Sequence, residues 1–330
     1  MKSVSYVKNN FCKNKVLLAQ YTYSITPTNS KLRCAFKCSQ DENCLSFHFE
    51  KSSLSCHLNM QSSTENCVTM TTNTDAIHFD KVKPSIVCLH GGLDINGTCR
   101  CVNGFVGPTC GRLMTDCSEG YTYGYANDAV YNIQPPYTTT SFPVSCTMNY
   151  GGRTILQYRF DTQLNFYRNW TDYRDGFGSL DSDFWLGLEN IYQIVRHRTF
   201  EIRFHMSLEN GTYYQQRFFD FNITDETGGY AMYFSHNMPS SSNALGDSLS
   251  TLNGSKFSTW DVDNDNWSNG SCAQLYESGF WFNNCAGCNP NGRLLRPADG
   301  KRTNDESEVF WTYDLDDNAP YNIYIWLLAV

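Results

Sequence analysis

The stretch NFYRNWTDYRDGFGSLDSDFWLGLENI, residues 165–191 of a 330-residue chain, decides how the rest is read. Its last part runs on as SDFWLGLENIYQIVR, where Phe184, Leu188, Ile191 and Ile194 recur at three- and four-residue intervals. That spacing puts an apolar stripe on one side of a helix. On either side, TILQYRF (154–160) and TFEIRFHM (199–206) read as strands, and long loops rich in Gly, Asn and Asp separate the periodic pieces. From Cys117 to Val330 there are only five cysteines among abundant Trp, Tyr and Phe. A segment of that length and aromatic content builds its own core, and the sum is an α+β domain in which loops occupy much of the sequence.

Composition bounds the remainder. The chain is 41% hydrophobic and 18% charged, as globular proteins are, and its length implies two or three units. A net charge of −8 disfavours nucleic acid as a partner, because such binding draws on lysine and arginine neutralising phosphates. Fifteen cysteines read as disulfide frameworks of the secreted kind. Seven sequons agree, beginning at Asn96, Asn169, Asn210, Asn222, Asn253, Asn266 and Asn269. The opening MKSVSYVKNNFC carries no apolar run long enough for a signal peptide, which reads as a mature form, a fragment or a misplaced start. The apolar IYIWLLAV near the end is eight residues against the roughly 20 of a membrane helix, so no span is expected.

Six cysteines, Cys12, Cys34, Cys38, Cys44, Cys56 and Cys67, crowd the N-terminal part, and spacing alone leaves fifteen pairings open. The run CAFKCSQDENCLSFHFEKSSLSCHL resembles the core of a PAN/apple domain, expected over residues 1–82. The resemblance implies bridges Cys34–Cys56, Cys38–Cys44 and Cys12–Cys67, a helix at LRCAFKCSQ and a strand at CLSFHFE. Independently, Leu45, Phe47 and Phe49 alternate as a one-faced strand requires. CRCVNGFVGPTC closes a four-cysteine stretch that resembles an EGF-like module over 85–112. That family's two absent cysteines would be each other's partners, which leaves Cys88–Cys99 and Cys101–Cys110. Gly104 and Gly107 suit the turns.

The opening stretch, followed by GDSLSTLNGSKFSTWDVDNDNW and by SGFWFNNC with NPNGR after it, resembles the fibrinogen C-terminal domain of ficolins, tachylectins, angiopoietins and tenascins. It covers residues 113–330. The resemblance implies bridges Cys117–Cys146 and Cys272–Cys285, a twisted antiparallel sheet and a loop-rich subdomain that carries the binding site. The whole is therefore expected to be an α+β multidomain protein.

In FSTWDVDNDNWSNGSC (257–272), Asp261, Asp263 and Asp265 stand on alternate positions. Taken alone, this is either a solvated acidic loop or a convergence of oxygens on a hard cation. It is no EF-hand, since the sixth position from Asp261 is Asn266 and the twelfth is Cys272. The resemblance implies Ca2+ on the side chains of Asp263 and Asp265 and the carbonyls of Trp267 and Asn269, with Gly270 in place of Asn269 if the one extra residue before Cys272 shifts the register. It also implies a pocket beside this loop with a cis bond between Asn284 and Cys285, backbone N–H groups aimed at an acetyl carbonyl, and Tyr276 as a wall. The pocket departs from the acetyl-binding pattern: Ala286 stands for a histidine, and Asp305 and Glu306 stand for the Tyr-Ala pair that cups the methyl. Carboxylates make a poor apolar cup.

Cys288, the odd cysteine, reads as a buried thiol or as an intermolecular bridge in a homo-oligomer. A glycan at Asn266 or Asn269 would crowd the pocket. The expected function is secreted, calcium-dependent recognition of surface or microbial glycans, with a receptor protein as the alternative ligand. An enzyme is not expected: GDSLS (246–250) lacks the second glycine of a nucleophile elbow, and the seven histidines show no metal-ligand spacing.

Overall fold

A computed structural model of the protein describes residues 5–8, 15–63, 70–82, 86–95, 97–235, 237–239, 244–296, 300–303, 305–312, 315 and 318–330. Cys12, Cys67 and Asn96 lie outside the described residues. The chain divides into two compact units, Met1–Arg100 and Cys101–Val330. The division falls inside the four-cysteine stretch: Cys88–Cys99 is bonded within the first unit and Cys101–Cys110 within the second.

In the first unit, five antiparallel strands lie in the order Ser5–Lys8, Ala76–Val82, Ser46–Glu50, Ser55–Asn59, Thr22–Pro27. The helix Lys31–Gln40 starts where the Ser30 hydroxyl accepts the Arg33 N–H at 3.3 Å, an N-cap that satisfies one orphan amide. Cys34–Cys56 ties it to a strand and Cys38–Cys44 closes its exit. Cys34, Cys38, Phe47, Cys56 and Leu58 make the small core, with Phe79 stacked on Phe47 at 5.0 Å. The expected one-faced alternation is corrected here. Leu45 precedes the strand and is exposed, whereas Ser46 and His48 are buried along with Phe47 and Phe49, because this strand has neighbours on both edges and cover on both faces.

The second unit is built on a nine-stranded antiparallel sheet. Its centre is Asn322–Ala329, which holds the IYIWLLAV run and pairs with Arg153–Arg159 on one side and Phe200–Ser207 on the other. Ile323, Ile325 and Leu327 are buried in that position, so the apolar run is a central strand. The helix beneath the sheet is Leu188–Val195, shorter than expected. Gly187 at φ 101° starts it, and a Cβ there would sit 2.8 Å from the Asp175 carbonyl carbon. Phe184 and Trp185 therefore fall in a short strand against Arg153–Arg159.

Arg159 joins this sheet to the loop-rich part. It is buried at 2% exposure, donates from Nη1 to the carbonyls of Pro290 (2.9 Å) and Gly292 (2.6 Å), and lies 4.0 Å over the Phe166 ring. Burial holds its guanidinium down at about 10, below the usual arginine range. The strut thus anchors NPNGR, the segment that follows the expected pocket.

Candidate functional site

The loop 257–272 is not extended, and its three aspartates part company. Thr259 and Val262 bond each other across a tight turn, which sends Asp261 away from the other two. Asp261 Oδ1 accepts the Trp170 N–H at 3.0 Å and the Thr259 hydroxyl at 2.7 Å. Asp263 and Asp265 stay together: Asp263 Oδ1 accepts the Asp265 N–H at 3.2 Å. Asp265 Oδ1 accepts from Trp267 N and Oδ2 from Cys272 N, both at 2.8 Å.

Asn264 pins the turn from inside, its N–H on the Ser258 hydroxyl and its side chain on the Phe257 carbonyl. Burial and the neighbouring Asp263 charge together push the Asp265 carboxyl up from the usual range, against the pull of its two backbone bonds. Two carboxylates held this close repel each other, and a hard cation relieves that repulsion.

The donor chemistry fits calcium. Every implied ligand is oxygen, Asp263 Oδ2 takes no hydrogen bond among the described residues, and the Trp267 carbonyl accepts only a long 3.4 Å contact from Gly270. Asn269 is exposed beside it. Among the described residues no group of three or more His, Cys, Asp or Glu is placed to hold a metal, so backbone carbonyls and water must complete any shell around these two aspartates.

The loop is wired to the bridge Cys272–Cys285. Asp265 holds the Cys272 amide, and Asn266 bonds Asn283 twice at 2.8 Å, through its N–H to the carbonyl and through its amide group to Oδ1. The peptide bond from Asn284 to Cys285 is cis. Tyr276 stands half-buried with its ring 5.3 Å from both Phe282 and Phe310, and burial raises its hydroxyl above the ordinary tyrosine range. The Asn283 N–H goes to the Cys285 carbonyl at 2.8 Å. One amide beside the cis bond is thus engaged within the protein itself.

The acidic residues beyond the pocket have separate fates. Asp305 pairs with Arg293 at 2.8 Å and accepts from Ser307. Glu308 is buried and takes Arg302 and Thr303. Glu306 is exposed, and its charge reaches the Tyr276 hydroxyl. A cavity of about 350 Å³ lined by Asn210, Arg296 and Tyr321 among others shares none of these residues.

Cys288 is fully buried, in register with Trp311, and burial holds its thiol well above the ordinary range. The intermolecular bridge expected as one reading of this cysteine is corrected on that ground, since its sulfur cannot meet another molecule without opening the core. Native protein is expected to leave Cys288 unmodified by a thiol reagent that labels it in denaturant, and Cys288→Ser is expected to leave the size of the native species unchanged in size-exclusion chromatography.

The sequons also divide. Asn210, Asn222 and Asn269 are exposed with no hydrogen bond from the side-chain amide nitrogen among the described residues. By contrast, Asn253 is clamped to both backbone groups of Phe234, and the Asn266 amide is held by Asn283. Intact glycopeptide mass spectrometry is expected to find glycans at Asn210 and Asn222 and bare asparagine at Asn253 and Asn266.

A disulfide-stapled modular protein, with a small sheet-and-helix unit followed in sequence by a larger sheet unit rich in loops, is of the kind found among extracellular proteins. The C-terminal globular domain of the fibrinogen beta and gamma chains is the family whose model matches residues 113–318, and the chain belongs to that family of fibrinogen-related proteins. The PAN domain model matches residues 10–83. Mouse microfibril-associated glycoprotein 4 is 37% identical over 195 residues, which cover 57% of this chain and 74% of that protein. Fibrinogen C domain-containing protein 1 of Xenopus tropicalis is 36% identical, over 56% of this chain and 41% of its own. Among solved structures, the fibrinogen-like globe domain of human ANGPTL2 superposes with a TM-score of 0.61 at 28% identity, covering 66% of this chain and 99% of that one. Lamprey fibrin D-dimer, solved with the peptide ligand Gly-His-Arg-Pro-amide, gives 0.58 at 28% identity over 65% and 73%. No helix among the described residues is long and apolar enough to cross a membrane.

Proposed function

We propose that the protein is a secreted, non-enzymatic recognition molecule whose C-terminal unit holds calcium on the Asp263–Asp265 loop and binds a surface glycan beside it. The observation that carries this reading is the wiring of loop to pocket, through Asp265 to the Cys272 amide and through Asn266 to Asn283. Asp263, Asp265 and the carbonyls of Trp267 and Asn269 would hold the ion, which supplies positive charge between two carboxylates. The protein's own groups do the rest. Asp265 positions the first cysteine of the bridge, Asn283 positions the second, and Tyr276 and Phe310 offer aromatic faces on which a sugar ring stacks. Six disulfides within the described residues support secretion.

The ligand class follows from what the amides and acids are doing. With the Asn283 amide engaged and the exposed Glu306 charge acting on Tyr276, the surface suits hydroxyl-rich or amine-bearing sugars better than an N-acetyl group. Competition on immobilised protein tests this: glucosamine is expected to displace bound glycan at least about tenfold more effectively than N-acetylglucosamine, and Glu306→Gln to erase the difference. N-acetylglucosamine as the stronger competitor would overturn the ligand class.

A protein partner is the second reading. It is favoured by the same exposed Glu306, which suits a cationic peptide group, and by the peptide carried in the lamprey fibrin neighbour. In this reading the PAN-like unit also contacts protein, and binding survives every free sugar.

A further inference from the structure

The first unit carries a row of three histidines that the binding reading does not use. His57, His48 and His78 sit on three adjacent strands, and the pairing places His48 directly opposite both of the others. All three share the face of the sheet opposite Phe47 and the helix, since side chains alternate along each strand. The His48 and His57 rings stack at 4.3 Å and 19°. His48 and His78 are 5% and 4% exposed, and Nδ1 of each is buried with no hydrogen-bond partner among the described residues.

The charged groups around the row are placed at its ends. Glu50, on the His48 strand, lies 3.9 Å from His57 Nε2, whose nearer partner is the Ser55 hydroxyl at 2.8 Å. Asp80, on the His78 strand, lies 3.1 Å from His78 Nε2 and also takes Ser63. Lys15 is carried by the strand Lys15–Leu17, which packs against Ala76–Val82. The helix places Arg33 and Lys37 at the surface of the opposite face. The outer two imidazoles thus each have a carboxylate neighbour, while His48 in the middle faces imidazoles on both sides.

We infer that this row is an acid-opened latch: the sheet of the N-terminal unit stays closed while His48 and the His57 ring stacked on it are neutral, and parts around the Ser46–Glu50 strand when they take up protons. A proton on the central ring meets like charge from both neighbours, and among the described residues no carboxylate is within ion-pair distance of it, the weaker pull of Glu50 coming from the carboxylate that faces His57. The ring is too buried to turn to water while the strands remain paired. Cys34–Cys56 and Cys38–Cys44 keep the helix attached, so the opening is local.

The direction with pH follows from linkage. Burial and the other two histidines hold His48 down at about 3, and burial lowers His57 as well. The opened form therefore binds more protons than the closed one. Stability is fully present above about pH 6.5, the ordinary imidazole value, and is lost as pH falls toward about 3. The opened fraction rises about tenfold per pH unit for one proton of difference and about a hundredfold for two.

Hydrogen exchange on the full-length protein, corrected for intrinsic rates, tests this between pH 7.5 and 4.5. Peptides from residues 46–59 and 76–82 are expected to lose protection by a factor of about 10 or more per pH unit below 6.5, while residues 129–147 of the other unit change by less than about threefold. His48→Phe is expected to make that per-unit factor about tenfold smaller than in the unaltered protein. Should that variant not fold, the His48 ring resonance of the unaltered protein, assigned through its contact with His57, is expected to stay in the neutral form below pH 5. Constant protection of the N-terminal peptides down to pH 4.5, or a His48 ring that titrates near 6.5, would overturn the latch.

Discussion

Asp265→Ala is expected to abolish calcium binding and to destabilise the C-terminal unit by about 2 kcal/mol even in chelator. The side chain does two jobs at once. It is one of two carboxylates that would hold the proposed ion, and its two oxygens satisfy the amides of Trp267 and Cys272. Charge-assisted bonds of this kind contribute about 1.5 kcal/mol or more each, discounted here because the residue is only partly buried. Asp263→Ala separates the jobs. It removes one 3.2 Å bond at an exposed position, so it is expected to abolish calcium binding while costing about 0.5 kcal/mol or less in chelator. Calorimetric calcium titration and urea unfolding in EDTA read the two quantities separately. Equal losses of stability in the two variants would contradict the wiring of Asp265 to the bridge.

Arg159→Met should cost more than either, about 3–5 kcal/mol in urea unfolding of the C-terminal transition. Methionine keeps the apolar contact with Phe166 but leaves the Gly292 carbonyl without its donor and the Pro290 carbonyl with only the longer 3.3 Å bond from the Gln157 amide, in a place where burial has excluded water. Because NPNGR follows the pocket, ligand affinity is expected to fall together with stability. A variant that unfolds as the parent does would show that the two carbonyls find other donors.

The fold was legible because long motifs and cysteine spacing are local. Residues 165–191 and the loop at 257–272 carry their order and chemistry along the sequence, and family and fold followed from them. What failed was periodicity read without context. Phe184 fits the helical stripe numerically, yet Gly187 with its positive φ begins the helix after it, and a glycine inside the stripe was the available signal. Leu45, Phe47 and Phe49 alternate, but a strand with covered faces buries Ser46 and His48 too.

In the site, the alternation of aspartates suggested one cluster. The turn between Thr259 and Val262 breaks it, and only side-chain partners assign Asp261 to Trp170. Nothing along the sequence announces the histidine row, since His48, His57 and His78 meet only through strand register. The role of Arg159 was hidden likewise, because its partners are carbonyls more than 130 positions away.

The central claim is that an ion on the Asp263–Asp265 loop sets the adjoining surface for a glycan. A glycan array probed with the purified full-length protein, in calcium and again in EDTA, with Asp263→Ala alongside, tests it most directly. Binding to hydroxyl-rich or amine-bearing glycans that disappears in EDTA and in the variant is the expected result. A silent array from protein that is folded and takes up calcium would contradict it, leaving the ion structural and a protein the ligand.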